Sequence, residues 1–252
     1  MDGQAVIHPV YGKEKSRTGA TIAVMAATLP DVNALADTLG LARDDYRDFF
    51  SARLYQGGSD DHGFFIVGPF IGAPHAVILL ENLVVRGVDR IVFVGWCGSL
   101  SGRLSIGDVL IASGAYSDEG TARHYGVSDS QTLLETSKEL DGRLASSMNH
   151  LGLPVLSAQV WTTDALYRET PEKIIHFRDQ GAWAVEMELS ALLAVAAFRD
   201  VALSSILLVS DSMESFTWQP GFKDPRFKIG RKNLAAIMKN FVEKMGRTDH
   251  GS

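Results

Sequence analysis

Short runs of consecutive apolar residues alternate along this chain with longer stretches in which apolar positions recur every three or four residues. The runs are Thr21 to Ala27, Phe64 to Phe70, Arg90 to Gly95, Asp108 to Ala115, Ser157 to Thr163 and Ser204 to Asp211. A strand covered by helices on both faces reads as such a run. The helical period predicts helices over Pro30 to Leu39, Leu133 to Leu151, Pro171 to Gln180, Glu186 to Arg199 and Phe227 to Met245. A further helix starts at about Pro74, with Ala76, Leu80, Leu83 and Val84 on one face and Gly87 as its stop. Strands alternating with helices predict an α/β fold, a three-layer αβα sandwich around a mostly parallel mixed sheet. No linker and no internal repeat divides residues 1–252, which read as a single domain.

Two stretches stand out. Ala184 to Ser190 (AVEMELS) opens the most strongly periodic helix with two carboxylates, and the run SSILLVSD stops abruptly at Asp211. Ligands gather beyond the carboxyl ends of parallel strands, so Glu188 and Asp211 are expected across one crevice. Each residue also has a plain reading. Asp211 suits a turn, Glu188 suits a helix N-terminus, and Met187 suits a core.

Composition narrows the classes. With 46% hydrophobic and 21% charged residues the chain can build a large core, and a formal net charge of −6 without a long Lys/Arg cluster excludes a nucleic-acid surface. The pairs Lys13 and Lys15, and Lys228 to Lys232, read as solvated faces. One cysteine, Cys97, excludes an internal disulfide and fits a reducing compartment. The start MDGQAVIHPV has no signal-peptide pattern, and the apolar stretches are too short to span a bilayer. A cytoplasmic protein with no membrane partner is expected. Metal-ligand spacing, GxGxxG, GxxxxGK[ST] and GxSxG are all missing, which removes the common metal, dinucleotide and serine-hydrolase readings; no cofactor is expected. Phe70 to Pro74 and Gly95 to Ser99 read as turns whose bare backbone can approach a ligand.

The run Val185-Glu186-Met187-Glu188, the helix after it and a strand ending in Ser210-Asp211 resemble the purine nucleoside phosphorylase/uridine phosphorylase family. Gly72-Ala73-Pro74, Gly95 to Gly98, Ile106-Gly107-Asp108-Val109, Asp118-Glu119-Gly120-Thr121 and His124-Tyr125 follow that family's order, as do, more loosely, His8 and Gly19-Ala20-Thr21. The resemblance implies a nucleoside phosphorylase-like fold and cleavage of a nucleoside's N-glycosidic bond. It implies that Glu188 holds the ribose hydroxyls, that Met187 packs on the sugar, and that Ile71 lines the sugar side beside Gly72, with Gly98 at the glycine turn. Asp211 becomes the acid that protonates the leaving purine nitrogen, a role that needs a raised pKa. Tyr167 or Trp161 would stack on the base, and His8 of a neighbouring subunit would meet the 5′-hydroxyl. A homo-oligomer, a dimer or a trimer of dimers, sharing its active sites is implied.

The departures concern phosphate, the family's co-substrate. Where a Gly-Asp-Pro turn and an arginine are expected, the chain has Met25 to Pro30 and then Asp31; a second arginine is replaced by Phe93, and a small hydroxyl residue by Trp96. A phosphate dianion needs fixed cationic donors. Arg123 or a partner's arginine would have to compensate. Three readings therefore stand: phosphorolysis to ribose 1-phosphate, hydrolysis by water with Glu186 or Glu188 as base, and a non-catalytic nucleoside sensor. The aromatic stretch Phe216 to Phe227 is expected to act as a lid.

Overall fold

The computed structural model describes residues 5–9, 22–58, 63–128 and 132–248, so Lys13, Lys15 and Gly19 to Thr21 lie outside the described residues. In chain order the elements are β1 (Ile22–Ala26), α1 (Leu29–Thr38), β2 (Arg47–Phe49), β3 (Ala52–Gly57), β4 (Phe64–Gly68), α2 (Ala73–Val84), β5 (Arg90–Ser99) and β6 (Val109–Asp118). There follow β7 (Leu133–Glu135), α3 (Lys138–His150), β8 (Leu156–Thr163), α4 (Pro171–Asp179), β9 (Ala182–Glu186), α5 (Leu189–Arg199), β10 (Ala202–Ser212), β11 (Gln219–Pro220) and α6 (Pro225–Thr248).

The sheet is mixed, as its patterning predicts. Parallel ladders join β4 to β1, β1 to β5, β5 to β10, β6 to β8 and β8 to β9. Antiparallel ladders join β10 to β6 and β5 to β9, so that β5, β10, β6, β8 and β9 close into a ring. Closure follows from length. The ten residues of β5 pair with β1 over Arg90 to Val94 and with β9 only at Gly98 and Ser99. Helices cover both faces. One core cluster includes Leu80 of α2 and Leu192 of α5 against Phe93, and the other includes Leu35 of α1, Leu144 of α3 and Phe241 of α6 against Val92 and Ile206. No helix among the described residues is long and apolar enough to cross a membrane.

Several local expectations are corrected. Gly95 to Ser99 is strand, because β5 continues through it to reach β9. Ala184 to Glu186 belongs to β9, and α5 starts only at Leu189. The predicted helix from Leu133 is a strand, β7, followed by α3, which Ser137 caps by accepting from the Leu140 amide at 3.4 Å. The stretch after Asp211 contains β11, whose Pro220 pairs with Asp211 itself.

Candidate active site

The site is built where β9 passes into α5. Glu186 ends the strand with its carboxylate turned back over the helix start, where Oε2 accepts the amides of Glu188 and Leu189, each at 2.7 Å. Those amides are two of the donors a helix N-terminus leaves unpaired, and a carboxylate there also meets the positive end of the helix dipole. Thr162 donates its hydroxyl to Oε1 of Glu186 and accepts the Ser190 amide at 3.0 Å. With both oxygens accepting, Glu186 holds the turn that presents Met187 and Glu188.

Glu188 points the other way. Its Oε1 accepts the Gly72 amide at 2.6 Å. Gly72 caps α2 with φ +79, a left-handed conformation that glycine adopts without penalty. A carboxylate accepts about four hydrogen bonds, so the backbone amides leave Glu188 capacity for hydroxyls. Burial pushes Glu186 above the usual carboxylate range and the neighbouring Glu188 adds to it, while Thr162 and the two amides pull down. Burial likewise raises Glu188, against the amides of Gly72 and Met187.

Opposite stands Asp211. The pairing of β10 with β5 slips between Val209 and Asp211, a bulge that re-aims the strand end. Oδ1 of Asp211 accepts the Ser210 hydroxyl at 2.6 Å, and Oδ2 accepts Trp218 Nε1 at 2.9 Å. Gly98 lies across from Asp211 in that ladder. A methyl group on Gly98 would sit 2.5 Å from Met213 Cε and 3.2 Å from Asp211 Oδ2, so a side chain there would displace the Met213 tip and crowd Asp211.

One cavity of about 1010 Å³ joins these residues. Glu186, Met187, Glu188 and Asp211 line it, together with Ile71, Gly98, Tyr167 and, from the aromatic stretch, Phe216, Trp218 and Phe222. Gly72 serves it through its amide on Glu188. Trp161 is corrected: it is fully buried, stacks on Phe177 at 4.6 Å and 14°, and donates Nε1 to Asp118 at 3.2 Å. An alternating strand sends neighbouring side chains to opposite faces, and Trp161 falls on the core side. His8 is exposed and away from the cavity wall within one chain. Glu119 of the motif Asp118 to Thr121 is structural, accepting the Ala122 amide and the Ser190 hydroxyl at 3.1 Å each.

Sequence reasoning missed two titratable groups. His75 of α2 lines the cavity and its Nε2 lies 2.7 Å from the Phe50 carbonyl oxygen. Glu169, after the short 3₁₀ turn Leu166–Arg168, lines it too, and burial followed by the Asp211 charge pushes its carboxyl up to about 7. His75 lies in the first turn of α2 and Glu169 just after a short 3₁₀ turn, positions that many residue types fill, so no local signal marks them.

The corner expected to hold phosphate is filled from within. Asp31 is buried, and its Oδ2 accepts Trp96 Nε1 at 2.6 Å and the Thr28 hydroxyl at 2.7 Å, while Oδ1 accepts Arg231 Nε at 2.8 Å. Trp96 packs edge-on against Phe227 at 5.0 Å. Phe93 is core, and Arg123 is exposed outside the cavity. Among the described residues the cavity is lined by four carboxylates, Glu169, Glu186, Glu188 and Asp211, and by no Lys or Arg.

The family model of the phosphorylase superfamily matches residues 21–243. A guanosine phosphorylase of Halorubrum lacusprofundi is 30% identical over 57% of this chain and 58% of its own length. The match thus spans less than two thirds of that relative. A purine nucleoside phosphorylase structure from Toxoplasma gondii superposes with a TM-score of 0.78 over 98% of this chain and 99% of its own, at 18% identity. A futalosine hydrolase mutant of Helicobacter pylori gives 0.73 over 89% and 99%, also at 18% identity. At that identity the two structures speak for the fold alone.

Two outcomes follow from the geometry. Asp31→Ala strips the acceptor from Arg231, Trp96 and Thr28, and is expected to lower stability by about 1–3 kcal/mol in urea unfolding. The raised carboxyls set the second. Between the ordinary value of 4.5 and about 7 the folded state keeps a proton on Glu169 that the unfolded chain has released. Stability therefore falls as pH rises through that window, with Glu186 and Glu188 acting in the same direction. Urea midpoints across the window should show the fall, and Glu169→Gln should make it shallower.

Proposed function

This chain belongs to the phosphorylase superfamily, and on that footing we propose that it cleaves the N-glycosidic bond of a purine nucleoside. The observation that carries the reading is one cavity holding Glu188 and Met187 on one side and Asp211 on the other. Glu188 accepts from the ribose hydroxyls and Met187 packs on the sugar. The glycosidic electron pair withdraws into the base as the bond breaks, and protonation of the base at the Asp211 side neutralises it. Tyr167 and the aromatic stretch offer faces on which the base stacks. A nucleoside sensor has no need of an acid at the leaving group, which speaks for turnover.

The acceptor of the sugar is the open choice, and the electrostatics favour water. Phosphorolysis is what the family resemblance implies. A dianion entering this cavity would meet none of this chain's Lys or Arg side chains among the described residues, and every one of the four acidic side chains on the wall that ionises would repel it. Coulomb repulsion in a partly desolvated site is worth several kcal/mol per like pair at about 4 Å and an effective dielectric near 20. Water carries no such cost. Glu186 is committed to Thr162 and two amides, which leaves Glu188 as the carboxylate able to receive the proton water gives up.

We extend the reading to assembly and place. Ile71 at 76% and Tyr167 at 95% exposure stand at the cavity mouth, where a second copy would cover them and could bring His8 to the 5′ end of the sugar. The buried thiol Cys97 suits a reducing cytoplasm.

The test is free-base release from a panel of purine and pyrimidine nucleosides, with phosphate present and rigorously removed. Release of purine with free ribose, unchanged by phosphate, is expected. A strict phosphate requirement with ribose 1-phosphate as product would mean that a partner subunit supplies the cations. Asp211→Asn should lower kcat about 10²–10⁴-fold while calorimetry still shows binding, a result the sensor reading cannot accommodate.

A further inference from the structure

Where α2 meets the β2–β3 hairpin, the cavity wall carries polar groups that the cleavage chemistry leaves unused. Only two residues, Phe50 and Ser51, join β2 to β3, since Phe49 pairs with Ala52 across the hairpin. Both have positive φ, +49 and +65, as so tight a turn requires. Asn and Gly usually fill such turns. A phenylalanine and a serine there hold a costly conformation, one that persists where surrounding contacts impose it and that clusters at functional sites. The contact here is His75. Its Nε2 lies 2.7 Å from the Phe50 carbonyl oxygen, and His75 and Ser51 both line the cavity.

That contact fixes the tautomer of the imidazole. A carbonyl oxygen only accepts, so Nε2 carries the hydrogen, and in the neutral ring Nδ1 is left as an acceptor. Among the described residues neither Nδ1 of His75 nor the Ser51 hydroxyl has a hydrogen-bond partner. His75 is the third residue of α2, and the side chain at that position lies beside the amide of the capping residue. The capping residue is Gly72, whose amide holds Glu188 Oε1. One helix start therefore brings the Glu188 anchor and the imidazole to the same wall.

A ribose offers three hydroxyls. Glu188 takes the adjacent pair at 2′ and 3′, and the 5′-hydroxyl on the exocyclic arm is left over. We propose that His75, locked by the Phe50 carbonyl, accepts a hydrogen bond from the 5′-hydroxyl at Nδ1 and so selects nucleosides that carry it over those that lack it. This rests on the cleavage reading above for the placement of the sugar. His75 belongs to the same chain as Glu188, so the contact forms without assembly. A hydroxyl donates one hydrogen bond and accepts others, which leaves the 5′ oxygen open to His8 of a second copy.

The test pairs inosine with 5′-deoxyinosine, which differ by that one hydroxyl, on wild type, His75→Gln and His75→Asn. It reads kcat/KM from base release, affinity from calorimetry, and melting temperature as a folding control. Glutamine places an amide nitrogen where Nε2 stands and keeps the tie to Phe50, but offers nothing at Nδ1. Asparagine places its oxygen near Nδ1 and gives up the tie. Wild type is expected to prefer inosine about tenfold, the worth of one hydroxyl hydrogen bond to a neutral acceptor. His75→Gln should erase the preference by lowering kcat/KM on inosine alone, and His75→Asn should recover part of it. A wild type indifferent to the hydroxyl would overturn the proposal. So would a preference that survives His75→Gln, which puts the contact on another group, or equal losses on both substrates, which mark a structural residue. If wild type cleaves neither nucleoside, the cleavage reading falls by itself. The calorimetric affinities then decide the proposal, upheld by a wild-type preference for inosine that His75→Gln removes and overturned by its absence.

Discussion

Two carboxylates buried side by side at the start of one helix are the constraint around which this molecule is organised. Glu186 and Glu188 are both almost fully removed from water, and like charges so close oppose each other's ionisation. Backbone amides make the arrangement tolerable. The α5 N-terminus donates two to Glu186, and α2 donates one, from Gly72, to Glu188. That last bond joins residues 116 positions apart, so this side of the cavity exists only when both helices are docked. Ring closure through β5 and β9 does the docking, with Gly98 and Ser99 paired to Val185 and Ala184 directly beneath the site.

The same electrostatic logic governs the corner behind Trp96. A fold that elsewhere hosts phosphorylases has here placed its own anion, Asp31, against Arg231 and covered it with an indole. The cation that could have answered a phosphate answers a side chain instead. The cavity beyond is left with four acidic side chains and no Lys or Arg among the described residues.

The aromatic stretch connects this chemistry to the surface. β11 pins it to the end of β10 through the pairing of Pro220 with Asp211, and Trp218 reaches back to the same aspartate. Trp218 and Phe222 remain substantially exposed, at 60% and 48%, although both line the cavity. A segment so placed borders the cavity and at the same time orients the Asp211 carboxylate.

Much of this was legible in the chain itself. Apolar runs marked β1, β4, β5, β6, β8 and β10, and helical periodicity marked α1, α2, α4, α5 and α6, because burial on a strand or a helix face imposes a period that no long-range contact is needed to read. Motif order pointed to Glu188, Met187 and Asp211, and all three line the cavity. What stayed hidden depends on partners distant in sequence. Glu169 sits in a loop and His75 in the first turn of α2, and only the folded chain brings both to the wall of the cavity that Asp211 also lines. Trp161 looked like a base-stacking aromatic until the sheet showed which way its strand faces. Asp31 read as a missing arginine, whereas the fold makes it a filled anion corner. Residue type and spacing determined the layers and the acidic character of the site; which amide each carboxylate accepts and which cation is already spent were decided by tertiary contacts, because hydrogen bonds and charge pairs act over a few ångströms of space and not along the chain.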